Sequence, residues 1–396
     1  MKLKVGHIGY NYPEKRNIVN RVHGVNYVNI AWSNLFAYVN KLNFVVKRFF
    51  GRTLTRSEYY RYRSILPVRM DGIHFFNSCS FSSTPHVITF ETLLPYYWVV
   101  KNDFKDLGLE HRIASNPSVK TAVVGLARNN CKRLIAMSEN TKNMQLKFLE
   151  LFPDQRVKIA NKLTVLHPPQ DSFGIHPSKK QNPECFELVF LGRAFYRKGG
   201  MELIKALEMV RRSINIKLYL ISSLDPEAGW FNLEEDRIGE DLEWIATMNW
   251  IEHLRNIPNS EVIELLRRCH LGFLPTWQDT YGYSVLEMQA CGCPVISTDI
   301  RSLSEINNNQ CGWIINVPKN QWSEWDLSVL GGERASSEWL IQQIKEITIE
   351  ALSDTDALSK KSSNAILRIE QEHNPIVHGL KLAEIYQHSF LQKDVN

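Results

Sequence analysis

Residues 271–296 read LGFLPTWQDTYGYSVLEMQACGCPVI, and this stretch contains one complete unit of alternating structure. The apolar run Leu271–Leu274 is typical of a buried strand, and Pro294–Ser297 is a second run of the same kind. Between them, Ser284–Cys291 has the pattern of a helix, with Ser284 as its expected N-cap. A strand, a helix and a strand in this order predict a parallel α/β unit.

The same alternation extends outward from this unit in both directions. Further strands are expected at Lys4–Ile8, His86–Phe90, Leu134–Met137, Leu163–Leu166, Phe186–Leu191 and Lys217–Ser222. Helices are expected at Gly199–Ser213, Ser260–Arg268, 336–352 and 355–392, the last one broken at Asn374-Pro375. The sequence therefore predicts the α/β class, with doubly wound parallel sheets whose ligand sites lie at the carboxyl ends of the strands.

The length of 396 residues, with 44% apolar residues, exceeds what one compact core usually holds, so we expect two domains. Residues 169–184 lack periodicity and are rich in proline, which is typical of a linker. We therefore expect a first domain over 1–168, a second domain over 185–374 and a C-terminal helix over 375–396.

The net charge of +5 conceals an uneven distribution of charge along the chain. Residues 1–180 contain 27 Lys and Arg against 11 Asp and Glu, whereas residues 181–396 contain 20 against 31. The first half is therefore suited to an anionic surface or ligand. Nucleic acid is the alternative partner, but no nucleic-acid-binding motif accompanies the charge, and we expect none to bind.

The seven cysteines are scattered and form no Cys-x-x-Cys pair, which favours reduced thiols and a cytoplasmic protein. The histidines show no metal-ligand spacing, and Asp354-Thr355-Asp356 is more typical of a helix cap than of a metal site, so we expect no metal. The first residues indicate a strand rather than a signal peptide, and no apolar run is long enough to predict a spanning helix.

A basic loop follows the predicted strand Phe186–Leu191 and precedes a helix. It contains Gly192, Arg193 and Lys198, and it ends at Gly199. Glycine admits close approach of the backbone, while Arg as a bidentate fork and Lys as a point charge suit a diphosphate. A solvated turn is the alternative interpretation of this loop taken alone.

A second loop follows Leu271–Leu274 and carries two carboxylates. Asp279 lies before the helix and Glu287 one turn inside it, so both border the same edge of the sheet. The free amides of the first helical turn after Ser284, together with the helix dipole, form a site for an anion. The structural alternatives are a turn residue for Asp279 and a capping-box carboxylate for Glu287.

The two loops, in this order, resemble the signature of the retaining glycosyltransferases of family 4, which have the GT-B architecture. The family's Glu-x7-Glu motif is similar to Asp279 and Glu287 with the residues between them. Its Gly-Arg-x4-Lys-Gly loop is similar to Gly192-Arg193 with Lys198-Gly199. The resemblance covers residues 130–320 and is weak over residues 1–85.

The resemblance implies two Rossmann-like domains that face each other across a cleft, with the C-terminal helix 375–396 packing back on the first domain. The first domain would bind the acceptor and the second the nucleotide sugar. The implied reaction is hexosyl transfer from a nucleoside-diphosphate sugar, with retention of anomeric configuration, in the synthesis of envelope polysaccharide or glycoconjugates. The implied acceptor is a glycan or a lipid-linked molecule, and neither a metal nor a cofactor is required beside the donor.

The resemblance also assigns roles to the residues of the two loops. Arg193 and Lys198, after Gly192, would hold the diphosphate and neutralise the charge that develops on the leaving group. Backbone amides near Tyr283 and Ser284 would bind phosphate.

The remaining candidate residues include two departures from the family pattern. Glu287 would accept hydrogen bonds from the ribose, and Asp279 would contact the donor sugar, although the family has the longer glutamate at that position. The family also has a histidine after a strand of the first domain, where this chain has Glu91, which either takes that catalytic role or caps a helix. These departures leave open the alternative of a catalytically inactive sugar-nucleotide-binding protein.

Residues 41–69 contain eight Lys or Arg and one acid, Glu58, interleaved with aromatic and aliphatic residues. Such a mixture is typical of a helix lying on an anionic membrane. The alternative is that the aromatics belong to the core and the cations to a solvated face. In the membrane interpretation, the protein is peripheral and lies at the inner face of the membrane.

Overall fold

The computed structural model describes residues 2–9, 11–52, 60–95, 113–179, 181, 183–224 and 235–391. These residues form two compact units, one comprising residues 1–169 with 375–396 and the other comprising residues 170–374. The chain therefore leaves the first unit once and returns to it at Pro375.

Strands and helices alternate through most of the described residues. The strands are β1 Lys4–His7, β2 Asn26–Asn29, β3 Arg61–Tyr62, β4 Gly72–Phe76, β5 Cys79–Ser80, β6 His86–Phe90, β7 Cys131–Ala136, β8 Leu163–Val165, β9 Phe186–Leu191, β10 Ile216–Ile221, β11 Ile251–Leu254, β12 Leu271–Leu274, β13 Val295–Thr298 and β14 Gly312–Ile315. The helices are α1 Tyr12–Asn17, α2 Leu35–Phe50, α3 Pro117–Ala127, α4 Glu139–Phe148, α5 Pro153–Ala160, α6 Gly200–Val210, α7 Glu235–Ala246, α8 Asn259–Arg268, α9 Tyr283–Ala290, α10 Leu303–Ile306, α11 Glu333–Ser353, α12 Thr355–Glu372 and α13 Pro375–Tyr386.

The first unit is built on a parallel sheet. Within the described part of the chain, its strands pair in the order β2-β1-β4-β6-β7-β8, and every pairing is parallel. The central strands β4 and β6 are buried along their whole length. This is the burial expected of parallel strands, whose crossover helices cover both faces of the sheet.

The C-terminal helix α13 completes the core of the first unit. Leu382 and Tyr386 lie in one buried cluster with Val5 and Ile135. The Tyr386 hydroxyl lies 2.8 Å from Nδ1 of His74, a buried residue of β4. The end of the chain is thus joined to its first strands by apolar packing and by a buried polar contact.

The second unit is built on another parallel sheet, in which the described strands pair in the order β11-β10-β9-β12-β13-β14. The chain winds outward from β9 through β10 to β11, and then returns to β12 on the other side of β9. The point between β9 and β12 is therefore the topological switch point, where ligands bind in open α/β sheets. The two loops singled out in the sequence follow these two strands.

The residues expected to form a linker, 169–184, belong to the second unit from Gln170 onward. The backbone N–H of Phe173 donates to the Ala290 carbonyl at 2.8 Å, and that of His176 donates to the Arg267 carbonyl at 3.1 Å. The segment is aperiodic because it runs along α8 and α9 rather than forming an element of its own. Its partners are about a hundred residues later, so local pattern gave no sign of them.

Helix termini follow local signals at the C-terminal end of this unit. Asp354 caps α12, its side chain accepting a hydrogen bond from the Ala357 backbone N–H at 2.9 Å. The expected break at Asn374-Pro375 separates α12 from α13.

Candidate functional site at the switch point of the second unit

The loops after β9 and β12 pack directly on each other. Gly199 precedes α6 with φ of +74°, and a Cβ at this position would collide with the Pro275 carbonyl oxygen. Gly282 precedes α9 with φ of +91°, and a Cβ there would meet Leu303. Glycine is therefore required at both turns, by conformation and by space.

Backbone hydrogen bonds hold the two loops in register. The Arg197 carbonyl accepts hydrogen bonds from the Trp277 N–H at 3.0 Å and from the Thr276 hydroxyl at 3.1 Å. The Arg197 guanidinium donates to the Gln278 carbonyl at 2.6 Å. Sequence reasoning passed over Arg197, although it lies between the two cations that were singled out.

This packing brings Lys198 to Asp279. The Lys198 Nζ atom lies 3.6 Å from Asp279 Oδ2, and the two side chains are 16% and 12% exposed. Burial opposes ionisation of Asp279, but the charges of Lys198 and then Arg197 outweigh it, so the pKa of Asp279 is below its ordinary value. Asp279 Oδ2 accepts no hydrogen bond from any described residue. A charged carboxylate oxygen is thus left for a hydroxyl donor.

Arg193 lies on the same loop as Lys198 but is exposed. Its carbonyl accepts hydrogen bonds from the hydroxyls of Ser222 and Ser223, at 3.3 and 3.2 Å, at the end of β10. The Ser222 carbonyl in turn lies 2.9 Å from His253 Nε2 on β11. The loop after β10, supported by His253 of β11, therefore fixes the Arg193 backbone while its guanidinium stays accessible.

Helix α9 begins earlier than the sequence predicted. Ser284 is its second residue and not its N-cap, because the turn at Gly282 starts the helix at Tyr283. The Ser284 hydroxyl is buried and has no hydrogen-bond partner among the described residues, while Tyr283 and Glu287 are half-buried. The first-turn amides of a helix lack intrahelical partners, so this end of α9 favours an anionic group.

The loop after β13 supports the loop after β12, which sequence reasoning did not foresee. The Thr298 hydroxyl donates to the Thr276 carbonyl at 2.7 Å, and the Ser302 hydroxyl lies 3.5 Å from the Thr280 carbonyl. Between them, the buried Arg301 forms an ion pair with Glu324. In the sequence, this contact was indicated only by the order of the predicted strands.

Glu91 belongs to the first unit, whereas the other predicted site residues all belong to the second. It directly follows β6, where Asn77 Nδ2 donates to Glu91 Oε1 at 3.0 Å and the Glu91 N–H donates to Asn77 Oδ1 at 3.1 Å. The carboxylate is therefore held at the carboxyl end of the first sheet by a reciprocal pair of hydrogen bonds.

The first turn of the first unit already holds a carboxylate. Glu14 Oε1 accepts hydrogen bonds from the N–H groups of Ile8 and Gly9, at 3.2 and 3.1 Å, and lies 3.4 Å from His7 Nδ1. The backbone amides that a ligand anion uses in such turns are thus bound to this chain's own side chain.

A cavity of about 620 Å³ adjoins the loops of the second unit through Tyr196 and Trp277. Its lining includes the half-buried Glu202, whose Oε1 accepts a hydrogen bond from the Ser337 hydroxyl at 2.9 Å and whose pKa is raised by desolvation of the charged form. None of the residues predicted for the site lines this cavity.

The residues that the structure describes contain neither a metal-binding cluster nor a helix that could span a membrane. No cluster of three or more His, Cys, Asp or Glu side chains is arranged to hold a metal ion. None of the described helices is long and apolar enough to cross a membrane.

Comparison with known families finds one domain. Residues 185–325 match the family described as "Glycosyl transferases group 1". The D-inositol 3-phosphate glycosyltransferase of Paenarthrobacter aurescens (strain TC1) is 27% identical over 147 residues, 36% of this chain and 34% of that protein. The O-antigen chain mannosyltransferase B of Escherichia coli is 25% identical over 127 residues, 31% of this chain and 32% of that protein. The chain thus matches about a third of the length of these relatives.

Two solved structures are similar over almost the whole chain. Anabaena Alr3699/HepE in complex with UDP-glucose has a TM-score of 0.58 at 14% identity, covering 96% of this chain and 98% of that one. A glycosyltransferase from Rickettsia africae ESF-5 has a TM-score of 0.59 at 15% identity, covering 99% and 100%. At such identities the likeness concerns the fold, and it confirms the expected α/β class with two Rossmann-like domains of the GT-B type.

Proposed function

We propose that this chain is a hexosyltransferase that takes a sugar from a nucleoside-diphosphate sugar held by its second unit. The observation that carries the proposal is the group formed by the two switch-point loops. It combines an exposed Arg193, a Lys198 whose Nζ lies 3.6 Å from Asp279 Oδ2, and an Asp279 oxygen that accepts no hydrogen bond from the described residues. The match of residues 185–325 to a glycosyl transferase domain supports it.

Each residue has a chemical role in this proposal. Arg193 and Lys198 bind the diphosphate and stabilise the negative charge that it gains as the bond to the anomeric carbon breaks. The N-terminal end of α9, with the Ser284 hydroxyl, binds a phosphate oxygen. Asp279 accepts a hydrogen bond from a sugar hydroxyl, and Glu287 accepts hydrogen bonds from the ribose.

The acceptor oxygen forms a new bond to the anomeric carbon on the face that the diphosphate leaves, which retains the anomeric configuration. The proton of the acceptor hydroxyl passes to the departing diphosphate, so no further reactant is needed. In the proposal, the first unit binds the acceptor, and Glu91 belongs to this acceptor-binding unit. The acceptor is a glycan or a lipid-linked molecule used to make an envelope polysaccharide or glycoconjugate. The reaction takes place in the cytoplasm, at the inner face of the membrane.

The donor is tested first with the nucleotides alone. A ligand that binds only the folded protein raises its melting temperature, so we expect one of UDP, GDP and ADP to raise it more than the others. UDP is the first choice because Alr3699/HepE was crystallised with UDP-glucose. If none of the three nucleotides changes the melting temperature, the proposed donor site is wrong.

The second candidate is an inactive sugar-nucleotide-binding protein, favoured by the shorter Asp279 and by Glu91 in place of the family's histidine. Slow release of free sugar from the preferred donor, without acceptor, distinguishes the two. Release that disappears in the Lys198→Ala variant indicates an enzyme. Tight nucleotide binding without any release, with or without acceptors, indicates a binding protein.

A further inference from the structure

Helix α2 of the first unit presents an apolar stripe to solvent. Leu35, Tyr38, Leu42, Val45 and Phe49 are spaced by three and four residues, which places them on one face of a helix. All five are exposed, Leu42 by 53% and Phe49 by 73%. Single exposed apolar residues are ordinary, but a continuous stripe about 21 Å long marks an interaction surface.

The face of α2 that carries Phe36 and Asn43 attaches the helix to the first unit. Asn43 is buried there, and the ring of Phe36 lies 6.0 Å from that of Phe81, between centroids. The side chain of Asn34 caps the helix by accepting a hydrogen bond from the Phe36 N–H at 3.2 Å, and Gly51 ends it with φ of +69°. The stripe is therefore displayed by an anchored helix with defined ends.

Cations border the stripe, and acids are missing from this part of the sequence. Lys41 and Arg48, seven residues apart, lie along one side of the stripe, and both are exposed. The Lys41 ammonium lies 5.9 Å from the centre of the Tyr38 ring. Residues 15–57 contain eight Lys or Arg and neither Asp nor Glu. A partner that fits this surface must therefore offer apolar groups to the stripe and negative charges to the cations beside it.

We infer that α2 docks the first unit on an anionic phospholipid bilayer, lying in the plane of the headgroups with its stripe among the acyl chains. Lys41 and Arg48 meet the lipid phosphates from one side of the helix. Trp32, just before α2, is also exposed, and its carbonyl accepts a hydrogen bond from the Tyr38 hydroxyl at 2.7 Å. Indole and phenol rings at this position suit the membrane–water interface. The inference stands apart from the donor site, because it rests on the first unit alone.

Sedimentation with vesicles tests the inference on the full chain. We expect the protein to pellet with vesicles containing phosphatidylglycerol at low salt, to pellet less at high salt, and to remain in solution with phosphatidylcholine alone. The variant Leu42→Gln/Phe49→Gln should stay in solution. The variant Lys41→Gln/Arg48→Gln should bind about 25-fold more weakly, since each cation near the surface contributes about fivefold.

Matched control variants show whether the loss of vesicle binding is specific to α2 or follows the removal of any exposed apolar or basic side chains. Val124→Gln/Val157→Gln removes two exposed aliphatic side chains from α3 and α5, and Lys120→Gln/Lys158→Gln removes two exposed cations. Both should bind like the unaltered protein. All variants should bind the preferred nucleotide with the affinity of the unaltered protein. Nucleotide binding therefore tests the donor site independently of vesicle binding.

A fluorescent label shows which surface enters the lipid. An environment-sensitive dye on Val45→Cys should shift to the blue with anionic vesicles, whereas the same dye on Val157→Cys should not. Six of the seven native cysteines are buried, and Cys185→Ser removes the remaining one. The inference is overturned if the protein stays in solution with anionic vesicles at low salt, or if pelleting survives loss of the stripe. It is also overturned if the stripe variant dissociates a dimer while vesicles bind neither form.

Discussion

At the residue scale, Lys198 and Arg193 share a loop but differ in what they already contact. Lys198 neutralises the buried Asp279, whereas Arg193 forms no ion pair with any described residue. A buried carboxylate that loses its partner is costly, because the desolvation of the charge is no longer offset. The two cations therefore contribute differently to stability, although both are assigned to the diphosphate.

The variants Arg193→Ala and Lys198→Ala test this difference. Each should weaken binding of the preferred nucleoside diphosphate by about 1.5–3 kcal/mol in calorimetric titration. Lys198→Ala should also lower the melting temperature, whereas Arg193→Ala should leave it unchanged. Arg212→Ala removes an exposed cation beyond the end of α6 and serves as the control. Unchanged affinity in both site variants would exclude the loop from the donor site.

We expect substitutions of Asp279 and of Glu287 to affect different kinetic constants. Asp279→Asn keeps the shape of the side chain but removes its charge, so it should lower kcat if Asp279 positions the sugar in the transition state. Glu287→Gln should mainly raise KM for the donor, because a ribose contact is made equally in the ground and transition states. Full activity of Asp279→Asn would contradict the role given to Asp279.

At the element scale, the site depends on where α6 and α9 begin. Both helices start from a glycine of positive φ that packs against a neighbouring element, the Pro275 carbonyl for α6 and Leu303 for α9. The Gly199 contact sets the distance between the loops after β9 and β12, whereas the Gly282 contact sets α9 against α10. A side chain at position 199 would move the two loops apart, and with them Lys198 from Asp279.

The substitution Gly199→Ala tests this dependence. It combines strain at φ of +74° with a collision, so we expect a loss of stability of about 1–3 kcal/mol and weaker nucleotide binding. Gly239→Ala is the control, because Gly239 lies inside α7 with no neighbouring atom within 4 Å of a Cβ. It should be neutral or stabilising, by up to about 1 kcal/mol. Equal melting temperatures for the two variants would show that the turn tolerates a side chain.

At the scale of the whole molecule, the first unit depends on both ends of the chain and contains buried histidines. Burial, and then the neighbouring imidazoles of His378 and His7, lowers the pKa of His74 to about 3. Burial also lowers the pKa of His86 to about 4 and the pKa of His378 below its ordinary value. The imidazole rings of these three histidines are neutral in the folded state, because burial disfavours their charged form.

The stability of the first unit should therefore fall as the pH is lowered. Below the unfolded pKa of about 6.5, the unfolded chain takes up a proton that folded His74 refuses, which costs about 2 kcal/mol at pH 5. The loss continues until the pH approaches 3, where folded His74 also titrates. His74→Gln should flatten the pH dependence of amide exchange in β4 and β6, whereas the exposed control His23→Gln should not. An unchanged slope in His74→Gln would contradict the assignment.

The sequence alone located the strands that carry the candidate loops, and it gave the order of those loops along the chain. The strands His86–Phe90, Phe186–Leu191 and Leu271–Leu274 were predicted with the bounds that the structure has. An apolar run between turn residues is a local property, so one sequence suffices to find it. Strands β2 to β5, β11 and β14 were not predicted. In Ile251–Leu254, for example, Glu252 and His253 interrupt the apolar run that marks a buried strand, and pairing with β10 holds the segment in the sheet.

Tertiary structure decided how the candidate residues are held. It moved the start of α9 from Ser284 to Tyr283, and it packed the expected linker against the second unit. It also brought Lys198 to Asp279, two residues that are far apart in the chain. Helix starts, segment packing and ion pairs depend on contacts between remote residues. A local sequence pattern can identify Lys198 and Asp279 as candidates. The distance between them is set only when the chain folds.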